Sequence, residues 1–272
     1  MTYKAVLLDI DGTLVPIGRT GVADRVVRCV EQLRRTGVKV IVATGRSGFV
    51  LTPALLGNFT ADYYICVNGS LTLNADKRPM HEKRLGQQEM DALDALARQQ
   101  EIVLGYTFED AYYMYYGYDE LCQKLAHLAD EDSPVDPEPK QGPGFVRNGE
   151  DRVRHYRSMP YGAVLHGVPK GTNFPMDANL SFVQFHPGSY DVYRKDLDKA
   201  RTAEKLLHTL GIRLEETIAI GDGNNDVPML RAAGLGVAMG NARPAAKAAA
   251  DRVTLSVDQD GVAEVLEEFF KF

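Results

Sequence analysis

Short apolar runs rich in β-branched residues recur along this chain, at Ala5–Leu8, Val38–Ala43, Tyr63–Val67, Thr217–Ile220 and Leu235–Met239, each followed by small or polar residues. Runs of this kind mark strands buried on both faces, as in a parallel sheet. Between them lie segments with helical spacing. Ala23, Val26, Val27, Val30 and Leu33 lead to Gly37, and Ala203, Leu206, Leu207 and Leu210 lead to Gly211. A glycine just past the last periodic residue reads as a helix stop. Strand and helix thus alternate at both ends of the chain, which predicts an α/β fold with a doubly wound parallel-sheet, Rossmann-like core.

The middle has a different texture. A helical segment at Gln88–Gln100 precedes the run Tyr112-Tyr113-Met114-Tyr115-Tyr116, a loop over Asp130–Gly144 rich in Pro, Asp and Gly, and strand-like pieces at Ala163–Val168 and Leu180–Phe185. This pattern predicts an inserted α+β domain over residues 85–190, with residues 1–84 and 191–272 forming the core. Alternating aromatics in a strand fill a core and an edge, so the tyrosine run is expected to pack rather than to stack on a ligand.

With 272 residues the chain has room for two modest domains. A net charge of −6 argues against nucleic acid or an anionic membrane as partner and leaves an anionic small molecule open. Cys29, Cys66 and Cys122 are odd in number and scattered, which suggests reduced thiols and neither a disulfide framework nor a zinc knuckle. The N-terminus carries no cationic, apolar signal segment, and no run is long enough to span a bilayer. A soluble cytoplasmic protein, monomer or homodimer, is the expectation.

The first strand delivers Asp9-Ile10-Asp11-Gly12-Thr13 at its carboxyl end, where open α/β sheets bind ligands. Alone, this could be a solvated turn. Its company changes the reading, because Thr44-Gly45-Arg46 follows the second strand and Gly221-Asp222-Gly223-Asn224-Asn225-Asp226 follows Thr217–Ile220. Acids, a hydroxyl and a lysine on one rim suit phosphoryl transfer, whose demands on a protein are positioning and charge neutralisation. Asp9 can attack phosphorus to give an aspartyl-phosphate. Mg²⁺ held by Asp9 and Asp222 would relieve the repulsion between carboxylate and phosphate. Asp11 can protonate the leaving-group oxygen and later deprotonate water; like-charge crowding at the acidic rim is the expected reason for it to hold a proton. Thr44, Gly45 and the amides of a helix starting near Arg46 can bind phosphate oxygens.

These residues resemble the haloacid dehalogenase-like phosphatases, specifically the Cof-type branch with a large α/β cap. The resemblance rests on Asp9-Ile10-Asp11-Gly12-Thr13-Leu14-Val15 and on Gly221-Asp222-Gly223-Asn224-Asn225-Asp226-Val227-Pro228-Met229-Leu230, and covers nearly the whole chain. It implies that Asp9 and Asp222 bind Mg²⁺ through side chains and Asp11 through its backbone carbonyl. It further implies that Asn225 approaches the phosphate or the substrate, that Asp226 supports the metal shell, and that the insertion is a cap selecting a small phosphorylated metabolite, foremost a sugar phosphate, with pyridoxal phosphate and flavin mononucleotide as other possible substrates. The family also uses a lysine against the transferring phosphate. Lys170-Gly171-Thr172 has the familiar lysine-glycine look, but Lys199-Ala200 opens the segment before the Asp222 strand, where the family places its lysine, so Lys199 is expected in that role with Ala200 replacing the usual glycine.

Of the six histidines, His81, His127, His155, His166 and His208 are expected at the surface or in packing, whereas His186, at the return from the insertion, could meet substrate. A sugar phosphomutase would use the same aspartyl-phosphate. A phosphate-switched receiver would need no domain-sized insertion, and a catalytically dead phosphosugar sensor would have lost Asp9 or Asp11. Dinucleotide and P-loop binding are disfavoured because neither glycine signature is present.

Overall fold

The four residues of β1 (Ala5–Leu8) expose nothing to solvent, the burial expected of a central parallel strand covered on both faces. The computed structural model describes residues 3–123, 145–176 and 178–271. Beside β1 run β2 (Lys39–Ala43), β3 (Tyr63–Cys66), β4 (Leu71–Asn74) and β5 (Pro79–Glu82). A second set, β6 (Val103–Thr107), β7 (Tyr112–Tyr116), β8 (Val146–Asn148), β9 (Gly162–His166), β10 (Leu180–His186) and β11 (Ser189–Arg194), belongs to another sheet. The chain then returns to the first sheet with β12 (Thr217–Gly221), β13 (Leu235–Ala238) and β14 (Arg252–Val253).

The first sheet has the order β14-β13-β12-β1-β2-β3-β4-β5. From β14 to β3 its pairs are parallel, and β4 then runs antiparallel to β3. β1 pairs with both β2 and β12, setting Leu8 opposite Val42 and Ile220. The strand order therefore reverses at β1, and the carboxyl ends of β1, β2 and β12 lie side by side at the switch point where such sheets take ligands.

The α-helices that lie wholly among the described residues are α1 (Asp24–Arg35), α2 (Pro53–Leu56), α3 (Gln87–Gln100), α4 (Lys199–Thr209), α5 (Val227–Ala232), α6 (Pro244–Ala249) and α7 (Gly261–Phe270). In the first unit, α1 packs beside α7, and α4 and α6 each pack beside α5. α1 buries the stripe Val26, Cys29, Val30 and Leu33. Asp198 caps α4 by accepting from the Arg201 backbone N–H at 2.7 Å. Gly211 and Ile212 close that helix by donating to the carbonyls of His208 and Leu207, the Schellman pattern expected of a glycine stop. The helix expected to start near Arg46 does not form there. A single 3₁₀ turn (Gly48–Val50) leads to four-residue α2, because Gly48 and Pro53 interrupt the segment and the residue before a proline avoids helical angles.

The chain divides into Met1–His81 with Asp198–Phe272, and Glu82–Leu197. The first junction falls at 81/82 rather than 84/85, and the second lies beyond 190/191 because β11 pairs with β10 and β9 and so holds residues up to Arg194 in the second sheet. That sheet has the order β10-β11-β9-β6-β7-β8 and is antiparallel except for β7 with β8. Helix α3 packs Met90, Leu93, Leu96 and Ala97 into a core with Leu104, Tyr106, Phe108, Tyr115 and Leu165. The tyrosine run is the strand β7. Tyr115 meets Tyr106 edge to face at 4.8 Å, and Met114 packs from the other side with Val103 and Leu121, as the packing reading expects. The Asp130–Gly144 loop and His127 lie outside the described residues. Among the described residues, no helix is long and apolar enough to cross a membrane, and the three cysteines are free.

Truncating Leu7 to alanine in the fully buried β1 should destabilise the protein by about 2–5 kcal/mol through lost transfer energy and a cavity. Chemical denaturation followed by circular dichroism measures this; a loss below about 1 kcal/mol would show that the central strand is not the packed core of the sheet.

Candidate active site

Asp9 leaves β1 at its carboxyl end, and its amide still donates to the Ile220 carbonyl of β12 at 3.1 Å. The chain then turns sharply. Thr13, Leu14 and Val15 all donate to the Ile10 carbonyl, and Gly12 adopts φ +80°. A side chain at Gly12 would strike the Asp222 carboxylate, since a Cβ there would sit 2.3 Å from Asp222 Oδ2. Glycine is thus required twice, by the backbone angle and by the close approach of the two acidic loops.

Asp222 follows β12, and four residues later Asp226 folds back over it. One oxygen of Asp226 accepts from the amides of Asp222 and Gly223 at 3.0 and 2.8 Å. Its other oxygen accepts from Lys199 Nζ at 2.6 Å. The same ammonium donates to Asp9 Oδ1 at 2.5 Å. Lys199 is the first residue of α4 and has no solvent exposure. The structure therefore brings Lys199 to Asp9, while Lys170 is an exposed loop residue of the other unit. Thr13 adds a donor toward Asp222 Oδ1 at 3.4 Å.

Arg46, expected at the substrate, forks Asp11. Nε donates to Oδ2 at 2.8 Å and Nη2 to Oδ1 at 2.6 Å. Asp11 is thus bonded by a guanidinium, while its own charge adds to the like-charge repulsion felt by Asp9 and Asp222. Thr44 is fully buried and its hydroxyl accepts from the Arg46 amide at 3.1 Å, the capping role compatible with its expected one. Gly45 lies between them in the same rim loop. Asn225 donates through Nδ2 to Asn68 Oδ1 at 2.9 Å. Within the other unit, His186 ends β10 at the turn into β11.

The family-model match to the haloacid dehalogenase-like hydrolases spans residues 6–155 and 169–266. The chain belongs to this family. It is 25% identical to a Bacillus subtilis phosphatase, YwpJ, over 97% of this chain and 99% of that protein. It is 26% identical to 5-amino-6-(5-phospho-D-ribitylamino)uracil phosphatase YitU of the same organism, covering 97% of each. Its fold matches that of BT1666 from Bacteroides thetaiotaomicron, a phosphatase of the same superfamily, with a TM-score of 0.85 at 24% identity over 100% of this chain and 96% of that one. The chain is a Cof-type haloacid dehalogenase-like phosphatase by these relationships.

Within this phosphatase, Asp9, Asp222 and Asp226 are all buried and offer oxygens within 4.8 Å of one another. Burial pushes the Asp9 carboxyl well above its usual range, with Asp226 adding like-charge repulsion. The same causes push Asp222 up to about 7. Burial alone would lower the Lys199 ammonium, but adjacent Asp226 and Asp9 more than offset it, so its pKa is raised. Three carboxylates and one ammonium leave a formal charge of −2 in a buried pocket, and an all-oxygen donor set of this charge fits a hard divalent cation. Asp226 is already committed to Lys199 and two amides, which suits a supporting place behind Asp9 and Asp222.

Two contributors escaped the sequence reading. Asn68 follows β3 just as Thr44 follows β2, so the strand-end rule that selected the others would have found it. Asn241, which donates to the Gly12 carbonyl at 2.8 Å and accepts from the Val257 amide, had no such signal.

A carboxyl whose folded pKa is raised binds its proton more tightly in the native state, so stability is lost as pH rises from the unfolded value near 3.9 through the folded one near 7. Lys199 remains charged throughout that window. The melting temperature of the metal-free protein should therefore fall between pH 5 and pH 8. Asp222→Asn should flatten the fall, and Mg²⁺ should raise the melting temperature more at pH 8 than at pH 5. Differential scanning fluorimetry across this range checks the sign; a rise with pH that Asp222→Asn leaves intact would contradict it.

Proposed function

We propose that this phosphatase hydrolyses a small phosphorylated metabolite, foremost a sugar or polyol phosphate, through an aspartyl-phosphate on Asp9 with Mg²⁺ as cofactor. The observation that carries the reading is the fully buried Lys199 ammonium bonded at once to Asp9 and Asp226. A buried cation beside a buried carboxylate fixes that carboxylate's orientation and supplies the positive charge a phosphate dianion needs.

An Asp9 oxygen attacks phosphorus as the bond from phosphorus to the leaving-group oxygen breaks. That oxygen takes a proton from Asp11. Water then attacks the phosphorus of the aspartyl-phosphate and gives its proton to Asp11, the bond to Asp9 breaks, and inorganic phosphate leaves. The Arg46 fork uses one lone pair on each Asp11 oxygen and leaves another on each to carry or take the proton, so Arg46 orients the acid without occupying it. Thr44, Gly45, Asn225 and Lys199 would hold the phosphate oxygens. Asp9 and Asp222 side chains and the Asp11 carbonyl would hold Mg²⁺, with Asp226 behind them; the cation would supply charge neutralisation at the phosphate.

The substrate class draws on the relative YitU, whose named substrate carries its phosphate on a ribityl chain. The second unit, Glu82–Leu197, is proposed as the cap that selects the leaving group. A monomer or homodimer acting on small molecules in the cytoplasm, without nucleic-acid or membrane partners, completes the reading. A sugar phosphomutase is separated by its product: free phosphate without an isomerised sugar supports the phosphatase.

Purified protein should hydrolyse p-nitrophenyl phosphate in a Mg²⁺-dependent reaction abolished by EDTA, and Asp9→Asn should remove the activity. Lys199→Met should lower kcat by on the order of 10²-fold or more, the loss typical of removing one preorganised charge stabiliser. Full activity of Asp9→Asn would refute the covalent mechanism. A kcat/KM screen of phosphorylated metabolites then ranks the leaving groups, with sugar and polyol phosphates expected to lead.

A further inference from the structure

Three consecutive residues after β3 have positive φ: Val67 at 48°, Asn68 at 51° and Gly69 at 115°. For a β-branched residue such as Val67 this is a genuine outlier, and residues held in sparsely populated regions persist only where their surroundings over-determine them. The surroundings here are the phosphatase's own machinery. The Val67 amide donates to the Arg46 carbonyl at 2.9 Å, and the Asn68 amide donates to the Thr44 carbonyl at 3.0 Å. The Gly69 carbonyl accepts from Thr202 Oγ1 of α4, three residues beyond Lys199. A side chain at Gly69 would meet that hydroxyl at 2.5 Å and the Asp198 carbonyl at 2.8 Å. The side chain of Asn68, 1% exposed, accepts from Asn225 Nδ2 at 2.9 Å. One strained turn thus joins the loop after β2, the start of the lysine helix and the acidic loop after β12.

We infer that Asn68 is a positioning residue for the phosphate site, acting through Asn225. The inference rests on the reading of Asn225 as a phosphate contact. A phosphate oxygen only accepts, so an asparagine serving it must present N–H rather than C=O. The Asn68 oxygen takes one Asn225 N–H, which fixes the amide orientation and leaves the second N–H for an anion. The opposite orientation would aim a carbonyl at an anion and set two carbonyl oxygens against each other at Asn68. The left-handed turn is what carries the Asn68 side chain beneath Asn225 while its backbone holds Thr44 in place.

The test uses Asn68→Gly, Asn225→Ala and the double variant, with p-nitrophenyl phosphate as substrate and inorganic phosphate as competitive inhibitor. Glycine accepts positive φ without strain, so Asn68→Gly should keep the wild-type melting temperature. It should lower kcat/KM by about 10- to 100-fold, the scale of one hydrogen bond to a charged group, and weaken inorganic phosphate inhibition in step. Adding Asn68→Gly to Asn225→Ala should bring little further loss, because a residue that acts only through Asn225 has nothing left to position. Asn68→Ala, which removes the same oxygen but keeps a Cβ, should repeat the kinetic loss. Wild-type kinetics in both Asn68 variants beside an impaired Asn225→Ala would overturn the inference while sparing the role of Asn225. Losses that multiply in the double variant would overturn it as well. An unimpaired Asn225→Ala would overturn the phosphate contact itself and the inference with it.

Discussion

The site is organised around a charge that has nowhere to dissipate. Lys199 is wholly buried, and its ammonium lies at hydrogen-bond distance from Asp9 and Asp226. A buried ammonium without partners would lose its proton, and buried carboxylates without a cation would keep theirs. The carboxylates keep the Lys199 ammonium charged, and Lys199 in turn offsets part of what burial does to Asp9. Lys199 comes from α4, Asp9 from the end of β1 and Asp226 from the turn after β12, so this one cluster depends on correct assembly of Asp9 with a lysine 190 residues away and an acid 27 residues beyond that. Removing one partner of such a cluster leaves uncompensated charge inside the protein, which is more damaging than never having built it.

Around that cluster the backbone does much of the positioning. The Asp226 carboxylate accepts from the two amides that carry Asp222, and Gly12 lets the first acidic loop approach Asp222 more closely than any side chain would permit. Arg46 sets the orientation of Asp11, while the left-handed turn at Val67–Gly69 ties the hydroxyl loop to Asn225 and to α4. Side-chain chemistry at this rim is thus inseparable from loop geometry. Neighbouring groups and amides hold the candidate residues, which is the preorganisation that the proposed phosphoryl transfer would require of a protein.

The sequence was most legible where local rules apply. The strands β1, β2, β3, β12 and β13 follow from short apolar runs, because a strand covered on both faces must be apolar at every position. The stop of α4 follows from Gly211, because only glycine enters the left-handed angle freely. Asp9, Asp11, Thr44 and Asp222 followed from their places at strand ends, while Lys199, Asn225 and Asp226 entered through the family resemblance. Less legible were features that depend on partners. The segment after Arg46 lacks the expected helix because Gly48 and Pro53 prevail over its apolar content. The junction at 190/191 moved because β11 is held by pairing with β9 and β10, and strand pairing is not encoded in any short window.

What the sequence determined by itself is the parallel sheet and the set of candidate groups on its rim: Asp9, Asp11, Thr44, Lys199, Asp222, Asn225 and Asp226, placed at or just after the carboxyl ends of strands or at the start of a helix. Chain order at the strand ends points to Asp9, Asp11, Thr44 and Asp222, whereas Lys199, Asn225 and Asp226 are what the family resemblance implies. Only the tertiary structure decided which groups bond to which. It gave Arg46 to Asp11 rather than leaving it for substrate, brought the Lys199 ammonium to Asp9 and Asp226 at once, and set Asn68 against Asn225. Those choices depend on distances across the sheet rim of a few ångströms between residues far apart in sequence, and such distances exist only once the sheet has closed its register.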